Sequence, residues 1–410
     1  MLPTAPPAQG SGALPEEAYA VALASVPGVG PKTLRVLLQD ASPREAWEGL
    51  VSGRVRLPSS RQPAAAFRHA RETNVAALWA SHERAGVRVC WLGQPEYPTV
   101  LARDPQAPAV LFFVGRSGVL DSASRVAIVG TRSATRYGLG VAAQLGADLA
   151  AAGVVVVSGL ALGIDGAAHE GALAAWRAAC GDMPDDASSL VDPLSAPPRG
   201  AERRVGRAAP PVAVVAGSLA TPYPRQHAGL WRRVASAGAV FSESPIGVAD
   251  LAWRFPLRNR IIAAISDVVV VVECHVRGGS LHTVQSAAAR GVTVGAVPGS
   301  VRSPASAGTN ALLADGCFVV RDASDVLVAV GLASTAAERQ SIDRPGSPCG
   351  VVDDLPAPTA EVARAVGWDP TPLEEILQRT GLGMDAVCAA LERLRARRVV
   401  HGEGGVWERV

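Results

Sequence analysis

The sequence predicts an α/β protein organised around a doubly wound, mostly parallel sheet, with smaller helical segments on either side of it. Three observations carry that expectation. Short Val-rich runs recur through the central half of the chain, at Val126–Val129, Val154–Val157, Val212–Ala216, Ala239–Phe241, Val268–Val272, Val292–Val297 and Phe318–Val320. They are nearly continuous rather than alternating, which marks strands buried on both faces, as parallel strands are. Helical patterns such as Leu139–Ala151 and Leu281–Arg290 lie between most of them, and strand–helix alternation is the pattern of βαβ units. Together these give a Rossmann-like sheet.

Around this core the chain divides by composition. Residues 1–14 are rich in Pro, Ala and Gly and are expected to be disordered. Pro15 to Ser81 reads as short amphipathic helices. Within it, Val26-Pro27-Gly28-Val29-Gly30-Pro31-Lys32 resembles the turn of a helix–hairpin–helix or sterile-alpha-motif-like module. The sheet domain spans residues 87–330 and is interrupted by a Pro-, Ser-, Asp- and Arg-rich surface insertion at Ala178–Pro211. A polar linker follows at Gly331–Leu355. Residues 356–410 show helices near Pro372–Thr380 and Met384–Arg395, then a glycine-bearing hairpin at Val399–Val410, the order of a winged helix. The front of its second helix is Met384-Asp385-Ala386-Val387. A duplex reader presents basic or amide side chains there, so sequence-specific duplex binding is not expected.

Composition narrows the function classes. With 48% hydrophobic and 19% charged residues, the chain is globular rather than disordered. No apolar run reaches the ~18 residues of a membrane-spanning helix, and the six cysteines include no C-x-x-C pair. Neither a zinc site nor a disulfide framework is expected, and the protein is expected to be cytoplasmic. The net charge of +2 balances 39 basic against 37 acidic residues. A nucleic-acid site would therefore be a local concentration of arginines, and at 4% aromatic residues an abundance of stacking platforms is not expected.

Open parallel sheets bind ligands beyond the carboxyl ends of their strands, so the turn after each strand is informative. Gly130-Thr131-Arg132 leads to Arg136; Ser158-Gly159 leads through Leu162 to Asp165. Later turns carry Thr221-Pro222-Tyr223-Pro224, Ser242-Glu243-Ser244-Pro245, Arg258-Asn259-Arg260, Gly278-Gly279-Ser280 and Pro298-Gly299. Glycine lets a backbone approach a ligand. Helix N-termini and guanidinium groups at Arg132, Arg136, Arg258 and Arg260 suit phosphate oxygens. The pattern reads as a row of anion sites along one edge. His169 and His282 read as packing or surface residues, and Asp165 either caps a helix or faces ligand. No G-x-G-x-x-G follows the first strand, and no nucleophile–base pair accompanies Asp165, Glu243 and Glu273, so neither cofactor nor catalytic residues are expected.

The ordered blocks V-A-I-V-G-T-R-S-A-T-R-Y-G, S-G-L-A-L-G-I-D-G-A-A-H-E-G-A-L, T-P-Y-P, S-E-S-P-I-G, F-P-L-R-N-R-I-I-A-A-I-S and G-G-S-L-H-T resemble the DprA/Smf family over about Tyr97 to Val320. The resemblance implies a non-enzymatic protein that binds single-stranded DNA, protects incoming strands, loads the RecA recombinase in natural transformation, and forms homodimers. By motif match, its DNA-facing positions are Gly130, Thr131, Arg132, Ser158, Gly159, Arg258, Asn259, Arg260, Gly278, Gly279 and Ser280. Three departures stand out: Leu162 where the family has Arg or Lys, His227 where Asn is usual, and a longer insertion. A nucleotide hydrolase of the lysine-decarboxylase-like group, the alternative on a related core, would carry a P-G-G-x-G-T turn. The chain has Gly278-Gly279-Ser280-Leu281-His282-Thr283 instead.

Overall fold

A computed structural model describes residues 13–55, 57, 63–180, 208–247, 254–332, 356–367, 371–397 and 399–409. Most of the expected disordered N-terminus, surface insertion and linker lie outside these residues. Two compact units emerge, one of Met1–Ser133 with Ala142–Arg321 and one of Ala134–Val141 with Asp322–Val410.

The first unit is built on a nine-stranded sheet: β1 (Arg88–Trp91), β2 (Val110–Gly115), β3 (Arg125–Val129), β4 (Val155–Ser158), β5 (Val212–Val215), β6 (Ala239–Ser242), β7 (Val268–Val271), β8 (Thr293–Ala296) and β9 (Phe318–Val319). Their order is β1-β2-β6-β5-β4-β3-β7-β8-β9. The seven from β6 to β9 run parallel, while β2 pairs antiparallel with β6 and with β1. All seven Val-rich runs became strands, within a residue or two of their expected limits. The antiparallel edge was not singled out in the sequence, although Val110-Leu111-Phe112-Phe113 is itself a buried apolar run.

Alternate residues of each strand enter opposite faces, so both faces are core. Val212 and Val214 pack with Ile261, Ile262 and Ala287 on one side. Ala213 and Val215 pack with Leu230, Val234 and Leu173 on the other. No strand from β3 to β7 has a polar face to offer water, and their Val-rich composition follows from that.

The N-terminal helices are α1 (Glu16–Ser25), α2 (Pro31–Leu37), α3 (Pro43–Val51), α4 (Pro63–Glu72) and α5 (Val75–Arg84). Gly28, at φ 78°, turns the chain from α1 into α2, and a Ser42–Glu45 capping box starts α3. These helices share a core with the sheet, where Ala20 and Val21 of α1 meet Val89, Val110 and Phe112. His82 of α5 is fully buried, donating from Nδ1 to the Leu78 carbonyl at 2.9 Å and accepting the Ile246 amide on Nε2 at 3.0 Å.

The sheet crossovers are α6 (Thr99–Ala102), α7 (Arg136–Ala151), α8 (Ile164–Cys180), α9 (Ala228–Ala237), α10 (Arg254–Ala264), α11 (Leu281–Ala288) and α12 (Ala307–Ala314). In the second unit, α13 (Ala323–Ala329) precedes a winged helix of α14 (Ala357–Ala365), α15 (Leu373–Thr380) and α16 (Met384–Ala396), with strands β10 (Thr371–Pro372), β11 (Val400–Glu403) and β12 (Val406–Arg409). Val362, Ile376, Leu391 and Leu394 form its core. Gly402 is required in the wing because a Cβ there would lie 2.4 Å from the Trp407 ring. The helix α14 was not read from the sequence: three of the four apolar residues on its buried face, Ala360, Ala363 and Ala365 beside Val362, are alanine, which carries little periodic signal.

Candidate nucleic-acid interface

The chain leaves β3 outward through β4, β5 and β6, then returns to β7 on the other side. The topological switch point therefore lies between β3 and β7, where open sheets usually admit a nucleotide. Here it is closed by main chain. The Thr131 amide donates to the Glu273 carbonyl at 2.7 Å. A Cβ on Gly130 would lie 2.5 Å from Ile164 Cγ1 and 2.8 Å from the Glu273 carbonyl oxygen. The loops after β3 and β4 also interlock: Gly163, at φ 79°, lies so close that a Cβ would be 2.4 Å from the Thr131 carbonyl oxygen.

Open space lies instead above β4 and β5, as a solvent-facing cleft bordered by Val215 to Ser218. Arg132, Leu162, Tyr223, Trp231, Phe255 and Arg258 line it. The Arg132 guanidinium lies over the Phe255 ring at 5.3 Å, and that ring meets Tyr223 at 5.6 Å with a 58° tilt. Arg132 and Tyr223 are exposed, so a cation and an aromatic face stand side by side in water, an arrangement suited to a phosphate and an unstacked base.

Beneath them Arg258 forms the floor. It is 7% exposed and lies within α10, which begins at Arg254, so it does not stand at a solvated helix start. Its Nη1 donates to the carbonyls of Gly159, at 2.9 Å, and Val214, and its Nε donates to Asn259 Oδ1 at 3.1 Å. Burial lowers its pKa to about 10, Asp165 opposing the shift and Arg132 adding to it, which leaves it charged at neutral pH. Asp165 accepts the amides of Gly159 and Ala161 at 3.1 and 3.4 Å. It thus braces the turn that precedes its own helix. Burial raises its carboxyl pKa, against the pull of Arg258 and of the two amides. A Cβ at Gly159 would lie 2.6 Å from both Arg258 terminal nitrogens and from Asp165 Oδ2, so only glycine fits between those two side chains.

The other motif arginine also points inward. Arg260 holds both Glu243 carboxylate oxygens, at 2.7 and 2.6 Å, and the Gln106 carbonyl at 2.6 Å. The acceptors that the two clustered arginines call for are thus supplied by the protein, as main-chain and amide carbonyls around Arg258 and the Glu243 carboxylate at Arg260. Ser158 is fully buried and donates to the Ile128 carbonyl at 2.6 Å. Asn259 Nδ2 donates to the Gly279 carbonyl at 3.4 Å; Gly279 is exposed and Ser280 buried. Arg136 is exposed at the start of α7 and belongs to the second unit. His169 is a core residue, its Nε2–H donating to the Val212 carbonyl at 3.1 Å and its pKa lowered by burial to about 4.

Two departures from the expected motif acquire a place. Leu162 is 36% exposed and faces the cleft. His227 donates from Nδ1 at 3.0 Å to the carbonyl of Leu160, a buried residue held at φ 54°, and so ties the loop after β5 to the turn after β4. Sequence reasoning missed Tyr223, Trp231 and Phe255 as site residues. Their signal was present in T-P-Y-P and F-P-L-R-N-R, but a low overall aromatic fraction says nothing about clustering.

Comparison with known proteins fits this arrangement. The profile of the family described as DNA recombination-mediator protein A matches residues 88–191 and 202–331, and the DprA winged helix domain profile matches residues 351–394. The putative DNA processing protein DprA of Mycobacterium tuberculosis is 36% identical over 302 residues, covering 73% of this chain and 68% of that protein. Protein Smf of Escherichia coli is 32% identical, covering 75% of each. The X-ray structure of DNA processing protein A from Streptococcus pneumoniae matches 76% of this chain and 96% of its own, with a TM-score of 0.58 at 26% identity.

Proposed function

Because the chain belongs to the DNA recombination-mediator protein A, or DprA/Smf, family, we propose that it is a non-enzymatic DNA-processing protein that binds single-stranded DNA in the cleft above β4 and β5. One observation carries the reading: exposed Arg132 and Tyr223 flank the half-buried Phe255 ring beside the Arg258 floor. A duplex hides its base faces in the stack, whereas a single strand offers bases to aromatic rings and phosphates to guanidinium groups. Stacking on aromatic rings and contacts to phosphate tolerate any base, so binding is of low sequence preference. The motif residues Gly130, Gly159 and Gly278 serve it by letting loops pack closely, and Arg258 and Asp165 by fixing the floor.

In this reading the protein protects incoming strands in the cytoplasm and delivers them to RecA. The seven parallel strands, at ~4.8 Å spacing, give an edge of only about 29 Å, and a homodimer joining two edges accommodates a longer strand. Fluorescence anisotropy with a labelled oligothymidylate and a blunt duplex of equal length tests the core of the proposal. Much tighter binding of the single strand is expected; equal affinity for the duplex overturns it. Light scattering with DNA present tests the dimer, and a persistent monomer at micromolar concentration removes it.

A further inference from the structure

With Arg258 and Arg260 engaged by protein acceptors, the cations that meet a phosphate chain must come from elsewhere on the carboxyl edge. Four arginines of the loops there are exposed and have no acidic side chain in ion-pair contact among the described residues: Arg225 after β5, Arg132 after β3, Arg277 after β7 and Arg302 after β8. The sheet order places β5, β4, β3, β7 and β8 side by side, so these loops succeed one another across about 19 Å at ~4.8 Å per strand. The carboxylates of the same loops are withdrawn from the surface. Asp165 is 7% and Glu273 1% exposed, and Glu243 is paired with Arg260. Among the described residues of the loops after β3, β4, β5, β7 and β8, the exposed charged side chains are therefore of one sign, although the whole chain carries a net charge of only +2.

A second feature marks the β7 and β8 loops. Each carries an exposed valine followed by an exposed arginine, Val276-Arg277 and Val301-Arg302, the valines 64% and 92% exposed. Apolar side chains left this open on two adjacent loops, each beside a cation, suit a nucleic acid, whose sugars and bases are apolar and whose phosphates are anionic.

Resting on the single-strand reading above, we infer that the phosphate backbone runs from the cleft across the sheet edge, over β3, β7 and β8, with Arg277 and Arg302 as its unassigned anchors and Arg225 at the opposite end. The motif arginines hold the cleft in shape, and these loop arginines supply length and salt dependence.

The test is the salt dependence of oligothymidylate binding by the full chain. Each phosphate contact removed flattens the slope of log K against log salt by about 0.7. Arg277→Ala with Arg302→Ala is expected to flatten it by about 1.4, and adding Arg225→Ala by about 2. Arg277→Lys with Arg302→Lys is expected to restore the slope. Arg84→Ala, at the end of α5 before the amino end of β1, is expected to leave it unchanged, and all these exposed positions should keep the thermal midpoint. If the wild-type protein binds the oligonucleotide and the double alanine variant keeps its slope, the track is refuted while the cleft reading stands. If the wild-type protein does not bind it, both fall.

Discussion

Leu162→Arg is expected to tighten single-strand binding without cost to the fold. Leu162 is 36% exposed on the cleft wall and shares that wall with Arg132, so an arginine there keeps its aliphatic stem over the surface that Leu162 covers and its charged head in the open cleft. An arginine there reaches the space over the Gly159 turn and gains one phosphate contact. That contact steepens the slope of log K against log salt by about 0.7. Its affinity gain is smaller than that of a buried charge-assisted bond, because the site is open to water and Arg132 repels the new cation in the free protein. About 1 kcal/mol is expected, close to a five-fold drop in Kd. Anisotropy titrations at four salt concentrations measure the slope, and a thermal melt of the same variant measures the fold. An unchanged slope with a midpoint lowered by several degrees would refute the reasoning, because it would mean that Leu162 packs into the turn instead of facing ligand.

Arg132→Ala is expected to weaken oligothymidylate binding by about 1.5–3 kcal/mol, the worth of a charge-assisted contact, with an unchanged melt. Arg260→Ala should do the reverse. It strands the half-buried Glu243 carboxylate and costs about 3 kcal/mol of stability in denaturant titrations, while the slope of log K against log salt is kept. Gly159→Ala forces a methyl group against Arg258 and Asp165 and should cost about 1–3 kcal/mol by overpacking, losing affinity and thermal midpoint together. His169 is buried neutral with its pKa lowered to about 4, so its contribution is present above its unfolded pKa near 6.5 and lost as pH falls from there toward 4. The loss amounts to about 3 kcal/mol, and chemical denaturation at pH 7 and pH 4 should show a smaller pH difference in His169→Gln.

The sheet was legible because buried parallel strands leave a strong local mark. Val126–Val129, Val154–Val157 and Val268–Val272 have few alternatives once both faces must be apolar. The edge strand β1 left a weaker one, being only the four residues Arg88–Trp91, and the apolar run of β2 lies outside the strand–helix alternation that marked the others. Motif residues were legible as a set, but their roles were not. Arg258 and Arg260 look alike in F-P-L-R-N-R, yet their direction depends on Asp165, Glu243 and Gln106, which are distant in sequence. Likewise, nothing local announces that Tyr223 and Phe255 meet, because that contact requires the loop after β5 and the start of α10 to converge.

Photo-crosslinking tests the central claim most directly. An oligothymidylate bearing iodouracil is irradiated with the full-length protein, and the adducts are located by peptide mass spectrometry. Adducts at Tyr223 and Phe255 are predicted, and both should disappear when Arg132→Glu abolishes binding. Adducts confined to the winged helix or to the N-terminal helices, with Tyr223 and Phe255 unmodified, would contradict the account.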